Sequence, residues 1–438
     1  MNISGENRKK IIFIIIGIFV IALLPRLLVA LHSTQAPLSD AIGYDDWAVN
    51  ILEGRGFIDG QGQATSWKEP SYPFFLASVY YFFGHNYKAV RVIQAILGAL
   101  ICVAIFFIAG RTFDIKTGFI AALIACFNPS LIKISEYLLT ENLFTFLLIA
   151  AIFFLLKQMQ EQDYKNLIFL GFALGIATLT RSAIILFPLF ILLFTGKRLV
   201  SRNPDTKIYI SSVLILVFSF ILTVSPWTLR NWWVHHKFVP VVSRMGLGIY
   251  SSFVPKDGKF FGFDASDETT QKSELIHSEV ERSSFLVKET LKYIKDNPLQ
   301  VLKVEILKIL YFWSPFDWEI VGYGVYNFMY GFVLPFFILG VFTTFKRFKE
   351  LLPVYLPIVY TFLISLITYG SPRFRLPVEP YIIIIGASGI MYCIHNFSKK
   401  TYAMLLISSC FLLNLLFYFK SYHIKIFVRS VMEKAYLW

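Results

Sequence analysis

The chain of 438 residues is poor in charge: Asp, Glu, Lys and Arg make up 16% of it, against about 25% in an ordinary soluble domain. A water-soluble fold is excluded on that ground. Cysteine is scarce too. Cys102, Cys126, Cys393 and Cys410 sit inside apolar runs with no CxxC or His-rich spacing, so neither a zinc site nor a disulfide scaffold is signalled, and the four read as packing residues. Neither GxxxxGK[ST] nor GxGxxG occurs, which weakens any function that uses ATP or a soluble nucleotide. No internal repeat is visible. What the chain has in abundance is apolar surface: 56% hydrophobic residues, including 45 Phe, 23 Tyr and 8 Trp, and a mean hydropathy of +0.62. Such a composition excludes disorder and marks an all-α polytopic membrane protein.

Arg8, Lys9 and Lys10 followed by apolar residues to Leu31 look like a secretory signal, but the run is too long and lacks a small-x-small cleavage site, so it reads as a first span. Further candidate spans cover about 89–110, 117–134, 142–156, 167–180, 183–194, 208–227, 325–345, 352–369, 378–394 and 402–419, giving about eleven transmembrane helices. The net charge of +13 would in a soluble chain suggest nucleic acid as a partner. Here the cations follow topology instead. With a cytoplasmic N-terminus, every short inside loop is basic: Arg111 and Lys116; Lys157 and Lys165; Lys197, Arg198, Arg202 and Lys207; Lys346, Arg347 and Lys349; Lys399 and Lys400. Nucleic acid thereby loses its support. The basic tail beyond Phe419 breaks the pattern, and reads as an interfacial amphipathic segment or a miscounted span.

Within a single membrane domain covering 1–438, two outside segments are long: 32–88 and about 230–323. In the first, Ser39 is placed to cap a helix on which Ala41, Tyr44, Ala48, Ile51 and Leu52 recur at helical spacing, with Asp45, Asp46 and Asn50 opposite, so an amphipathic surface helix ended by Gly54 and Gly56 is expected. The second segment is expected to hold one or two more surface helices and no separate catalytic domain.

Ionisable groups beside a bilayer are costly, so their positions carry information. They gather on the outer side: Asp40 after the first span, Lys68 and Glu69 in the first loop, Glu141 opening the fourth span, Arg181 after the fifth, Arg230 after the seventh, Arg373 and Arg375 before the tenth. One carboxylate among several cations suits an anionic phosphate carrying a polar head and an apolar tail, as in a lipid-phosphate-linked sugar. A carboxylate serves as general base toward an acceptor hydroxyl, while Lys or Arg neutralises a leaving phosphate. Plainer readings stand beside these. Asp40 also fits the first turn of a surface helix; Arg230, Arg373 and Arg375 also fit anchors to lipid headgroups, and Arg26 a snorkelling residue; Glu141 fits a structural partner for a nearby cation, and Asp45 with Asp46 a solvated face. Asp40, Asp45 and Asp46 could together also hold a hard cation. A transporter or flippase for an anionic amphiphile is the competing function, but such proteins place ionisable residues at the midplane on repeat-related broken helices.

At these residues the sequence resembles the GT-C membrane glycosyltransferases, in the branch of the dolichyl-phosphate-mannose protein mannosyltransferases and the bacterial aminoarabinose transferase of lipid A. The resemblance runs through Asp40-x-x-x-Tyr44 with Gly54, Lys68-Glu69-Pro70-x-Tyr72-Pro73 leading to Phe83-Gly84 and Arg91, Leu139-Thr140-Glu141, Leu179-Thr180-Arg181, Pro226-Trp227-x-x-Arg230-Asn231, and Arg373-x-Arg375-x-Pro377-x-x-Pro380. It implies a GT-C-like bundle that transfers a sugar, with inversion, from a polyprenyl-phosphate donor to a glycan, lipid or protein acceptor at the outer face of the cell membrane. Asp40 is then the expected catalytic base, and Lys68, Arg230, Arg373, Arg375, Tyr44, Glu141 and Arg181 the expected donor-phosphate or substrate-binding residues. No cofactor or metal is implied. Ala41 stands where the family's mannosyltransferases often carry a second acidic residue.

Overall fold

The computed structural model describes residues 5–199, 205–254, 266–317, 325–397 and 400–436. Arg202, Lys399 and the start of the polar stretch at Asp264 lie outside them. The chain opens with α1 (Gly5–His32), then α2 (Asp40–Leu52) and α3 (Ser71–Phe83) in the first long loop. The apolar helices α4 (Tyr87–Thr112), α5 (Ile115–Cys126), the short α6 (Pro129–Lys133), α7 (Thr140–Glu161), α8 (Tyr164–Thr180), α9 (Phe187–Thr195) and α10 (Thr206–His235) follow. The second long segment folds as α11 (Met245–Phe253), α12 (Glu268–Glu274), α13 (Glu279–Asp296) and α14 (Pro298–Trp313). The bundle then closes with α15 (Phe328–Thr344), α16 (Phe348–Ile367), the single turn α17 (Pro372–Arg375), α18 (Glu379–Asn396) and α19 (Lys400–Tyr436). Two residues on each side, 316–317 and 325–326, pair antiparallel.

Seven described helical runs are long and apolar enough to cross a membrane, and one of them, Phe328–Ile367, has 40 residues. At 1.5 Å per residue that is about twice the hydrocarbon thickness. Its break lies at Phe345–Arg347, where Lys346 and Arg347 divide it into two spans. Three shorter apolar helices, α5, α8 and α9, complete the expected eleven. The third expected span, 117–134, is interrupted: α5 ends at Cys126, and Asn128 caps α6 by accepting from the Ser130 and Leu131 amides, with Pro129 in its first turn.

α18 is the hub, with 89% of its apolar window buried. It approaches α15 closely because both are glycine-bearing there. A Cβ at Gly389 would collide with the Phe336 carbonyl oxygen and lie 3.0 Å from the Gly340 amide nitrogen, so no larger residue fits and backbone contact replaces side-chain packing. By contrast α1 and α19 are only 17% and 11% buried over their windows, and turn Phe13, Leu24, Leu405 and Leu412 outward, as lipid-facing helices must.

Three expectations change. The apolar face of the first-loop helix is covered by protein: α2 buries Ala41, Tyr44, Trp47 and Ala48 in a second core with Phe57, Tyr72, Tyr80 and Trp227, with α3 supplying an apolar partner. Arg26 does not snorkel. It is fully buried and donates to the carbonyls of Ala22, Ala125 and Cys126 at 2.8, 3.2 and 3.3 Å and to Cys102 Sγ at 3.4 Å, filling the carbonyl end that the break after α5 leaves open. The second long segment holds four helices rather than one or two.

Basic loops and site residues fall at opposite ends of the bundle. At one end Arg198 donates to the Lys349 carbonyl at 3.0 Å and Arg347 to that of Thr112 at 3.4 Å; at the other, Asp40, Lys68, Glu141 and Arg373 meet. Reporter fusions near Lys116 and Lys349 should therefore read one side of the membrane, and fusions near Gly60 and Lys272 the other. Gly60 and Lys116 reporting the same side would refute this arrangement.

Candidate active site

Asp40 is the first residue of α2. Before it, Ser39 has φ 53° and ψ −123° and its side chain caps nothing, contrary to the expected N-cap; the Ala41 amide instead closes a tight turn onto the Leu38 carbonyl at 3.1 Å. A non-glycine residue in this region is strained by about 1–3 kcal/mol, and the strain turns the chain so that Asp40 faces the bundle. Each of its carboxylate oxygens is engaged: Lys68 Nζ donates to Oδ1 at 2.7 Å, and both terminal nitrogens of Arg373 donate to Oδ2 at 3.3 Å.

Arg373 also reaches Glu141 Oε1, to which Arg181 donates at 2.9 Å. Arg181 bonds the Thr140 hydroxyl as well, at 3.2 Å. Glu141 is 1% exposed; a carboxylate so placed at the end of an apolar bundle requires these cations. The result is a continuous chain of charge, Lys68–Asp40–Arg373–Glu141–Arg181, drawn from α2, the first loop, α17, α7 and the end of α8. Lys68 Nζ lies 4.5 Å from the centre of the Tyr44 ring, a cation–π contact, and Tyr72 meets that ring edge-on at 5.3 Å. Tyr44 therefore shapes the Lys68 side of the site.

Burial alone would push the Asp40 carboxyl up, but the charge and hydrogen bond of Lys68, followed by Arg373 and Arg244, outweigh it and hold the group well below the usual carboxylate range. Lys68 fares differently. Burial lowers it despite the pull of Asp40, because it shares one anion with other cations while Asp40 has all of them. For Tyr44, burial pushes the phenol up, and Glu69, Asp40 and Glu141 add to the effect, so it stays protonated.

Two expected phosphate ligands are elsewhere. Arg230 lies inside α10, which continues to His235, and donates to the carbonyls of Thr65 and Phe57 at 2.6 and 2.9 Å and to the Ser66 hydroxyl at 3.0 Å; it holds the loop that carries Lys68. Arg375 is fully buried, donates to the carbonyls of Phe312 and Ser314 at 2.6 Å and to Glu379 at 3.1 Å, and stacks 3.6 Å from the Tyr330 ring centre. It fixes α17, and so aims Arg373 two residues earlier.

Glu69, already conspicuous beside Lys68, and Arg244, which the sequence does not single out, also enter the site region. Glu69 accepts from the amide and hydroxyl of Ser182 at 3.0 and 2.7 Å, joining the Lys68 loop to the turn after Arg181. Arg244 acts electrostatically on Asp40, Tyr44 and Lys68, yet nothing in its local sequence distinguishes it from a solvated loop cation. An open apolar groove of about 600 Å³ runs along α3, α8 and α10, starting at Pro70 and Ser71 and lined by Phe74, Ser78, Ile176 and Thr223.

Asp45 is not on a solvated face. It is 8% exposed and accepts from Tyr80, His85 and Tyr87 at 2.7, 2.8 and 2.7 Å, tying α2 to α3 and α4; Asp46 beside it is exposed. Asp45 therefore turns away from Asp40, and among the described residues no group of three His, Cys, Asp or Glu side chains is placed to hold a metal ion. Asp45→Asn should destabilise the protein by about 1.5–3 kcal/mol, the range for hydrogen bonds to a charged group, seen as a lower Tm in detergent, while Asp46→Asn should leave Tm unchanged.

Residues 68–227 match the family model of dolichyl-phosphate-mannose-protein mannosyltransferase, a segment beginning at Lys68 and ending at Trp227. No curated protein matches the chain in sequence. Among solved structures, the apo oligosaccharyltransferase of Archaeoglobus fulgidus superposes with a TM-score of 0.57 at 14% identity, over 91% of this chain and 55% of that one. The same organism's AglB, in complex with an inhibitory peptide and a dolichol-phosphate, gives 0.55 at 13% identity over 91% and 55%. ArnT from Cupriavidus metallidurans bound to undecaprenyl phosphate gives 0.49 at 13% identity over 95% and 72%. The chain spans about half the length of the oligosaccharyltransferases it matches. In fold it is thus a multi-pass membrane bundle like that of the Archaeoglobus fulgidus oligosaccharyltransferase, with residues 68–227 similar to the dolichyl-phosphate-mannose-protein mannosyltransferases.

Proposed function

We propose that this protein is an inverting glycosyltransferase that moves a sugar from a polyprenyl-phosphate donor to an acceptor hydroxyl at the extracytoplasmic face of the cell membrane. The observation that carries the reading is Asp40 with both oxygens held by Lys68 and Arg373, at the end of the bundle away from the basic loops. Positive-inside asymmetry supports a cytoplasmic side for those loops and for the N-terminus. In a single displacement the acceptor oxygen bonds to the anomeric carbon, the bond from that carbon to the phosphate oxygen breaks with its electron pair going to phosphate, and the acceptor proton passes to Asp40. Lys68 and Arg373 bind the donor phosphate. Drawn toward it, they loosen their hold on Asp40, whose basicity rises when the donor is in place. Tyr44 backs Lys68; Glu141 and Arg181 position Arg373. The groove that starts two residues past Lys68 offers the polyprenyl tail a path from the bilayer.

The test is transfer by the purified full-length protein in detergent, using a panel of polyprenyl-phosphate sugars and extracted envelope lipids and glycans as acceptors. In detergent no compartments exist, so product formation separates an enzyme from a transporter. Because cations of the chain neutralise the phosphate, product should form in the presence of a chelator; a requirement for magnesium or manganese would refute that part. Asp40→Asn should lower turnover by at least about a hundredfold with normal membrane insertion, and near-normal turnover would remove Asp40 from the base role. The pH profile carries its own sign. Since Asp40 is held below the usual carboxylate range, kcat/KM in the wild type should show no acid limb from this group down to about pH 4. Lys68→Met removes the largest lowering influence, so the residual activity should acquire an acid limb at higher pH. Ser78→Trp, at an exposed position in the groove, should raise KM for long-chain donors and leave short-chain donors unaffected.

A further inference from the structure

Arg244 precedes α11 in a segment pinned on two sides. The Ser243 amide donates to the Ser66 carbonyl at 2.9 Å, its hydroxyl donates to Glu279 at 2.7 Å, and the Gly246 amide donates to the Ser283 hydroxyl at 2.9 Å. Ser66 is two residues before Lys68, so this clamp sets Arg244 beside the Lys68 loop, half-buried. Its charge acts on Asp40, Tyr44 and Lys68 together.

The other cations of the cluster are committed. Lys68 is on Asp40, Arg373 bridges Asp40 and Glu141, Arg181 is on Glu141 and Thr140, and Arg230 holds carbonyls. Among the described residues the side chain of Arg244 makes no hydrogen bond or ion pair. Asp40, Glu69 and Glu141 face Lys68, Arg181, Arg244 and Arg373, which leaves one positive charge in excess, and Arg244 is where it resides. The reaction proposed above creates one further negative charge. A polyprenyl-phosphate sugar is a phosphodiester with a single charge; breaking the bond to the anomeric carbon gives a phosphate monoester whose second ionisation lies near pH 6. An interaction that strengthens only as this charge develops lowers the barrier, whereas equal binding of donor and transition state does not.

We infer that Arg244 binds the leaving phosphate and neutralises the second charge it acquires, a role distinct from the ground-state hold of Lys68 and Arg373. The inference rests on the glycosyltransferase reading, and its test separates the two. The first measurement uses polyprenyl monophosphate alone as probe, titrated by thermal shift against purified full-length protein at pH 5 and pH 8. Wild type should bind it more tightly at pH 8, where the monoester carries its second charge; Arg244→Met should lose that gain, and Arg244→Lys should keep most of it. The second uses any donor that supports transfer. Arg244→Met should lower kcat about a hundredfold, the low end for loss of one oxyanion-type donor, with KM within about threefold of wild type, and Arg244→Lys should restore most of the rate. Arg244→Met with wild-type kcat, a loss confined to KM, or an undiminished pH gain in monophosphate binding would each overturn the role of Arg244. A wild-type protein that transfers no sugar from any donor overturns the glycosyltransferase reading instead, whatever Arg244 does.

Discussion

Charge compensation at one end of an apolar bundle governs this structure. Glu141 opens α7 and is almost completely buried; an ion so placed costs several kcal/mol unless it is paired. Arg181 and Arg373 provide the pairing, and Arg373 carries it on to Asp40 and Lys68. Three separate parts of the chain, α7, the end of α8 and α17, must converge for that carboxylate to be tolerated, and Arg373 joins two more to them. Breaking either link to Glu141 strands a buried carboxylate, so the cluster holds the helix ends together as well as assembling the site.

A second buried pair makes the arrangement rigid. Arg375 and Glu379 lie one turn apart, Arg375 closes on the last carbonyls of α14, and Glu379 accepts from Asn128 at 3.2 Å. That ties α17 and α18 to α14 of the second long segment and to the break after α5, while the glycine contacts between α15 and α18 remove slack from the other side. Arg373 thus projects from a turn whose backbone has little freedom, as the phosphate-binding role proposed for it requires. At the opposite wall, the strained backbone of Ser39 turns Asp40 inward. Support on both sides of the site comes from residues that do not touch it.

Sequence alone could not separate arginines that join the carboxylate cluster from arginines that brace the backbone. Arg373 and Arg375 stand two residues apart in the same motif, and in a single helical turn they point in different directions, one to the shared carboxylates and one to the end of α14. Arg230 carries the same ambiguity and resolves the same way as Arg375, because the Lys68 loop leaves carbonyl oxygens that need donors. Asp45 looked solvated from helical periodicity, which counts a carboxylate as polar and cannot see that Tyr80 and Tyr87 from the next two helices, and His85 between them, arrive to bond it. Arg26 looked like a snorkelling residue because the break in the third span, which creates its carbonyl partners, is a tertiary feature.

The number of apolar helices, their order and the segregation of basic loops from the acidic and aromatic end were determined by the sequence itself, because a bilayer demands long uninterrupted apolar runs and their hydropathy is additive along the chain. The prominence of Asp40, Lys68, Glu141 and Arg373 was legible for the same reason: a charge near hydrocarbon is conspicuous. Which charges meet was decided only by the fold. Pairing depends on distances of a few ångströms between residues as far apart in sequence as Asp40 and Arg373, and no local pattern encodes them. Arg244 is the clearest case, a cation with no distinguishing neighbours in sequence that reaches the site through the bond from the Ser243 amide to Ser66.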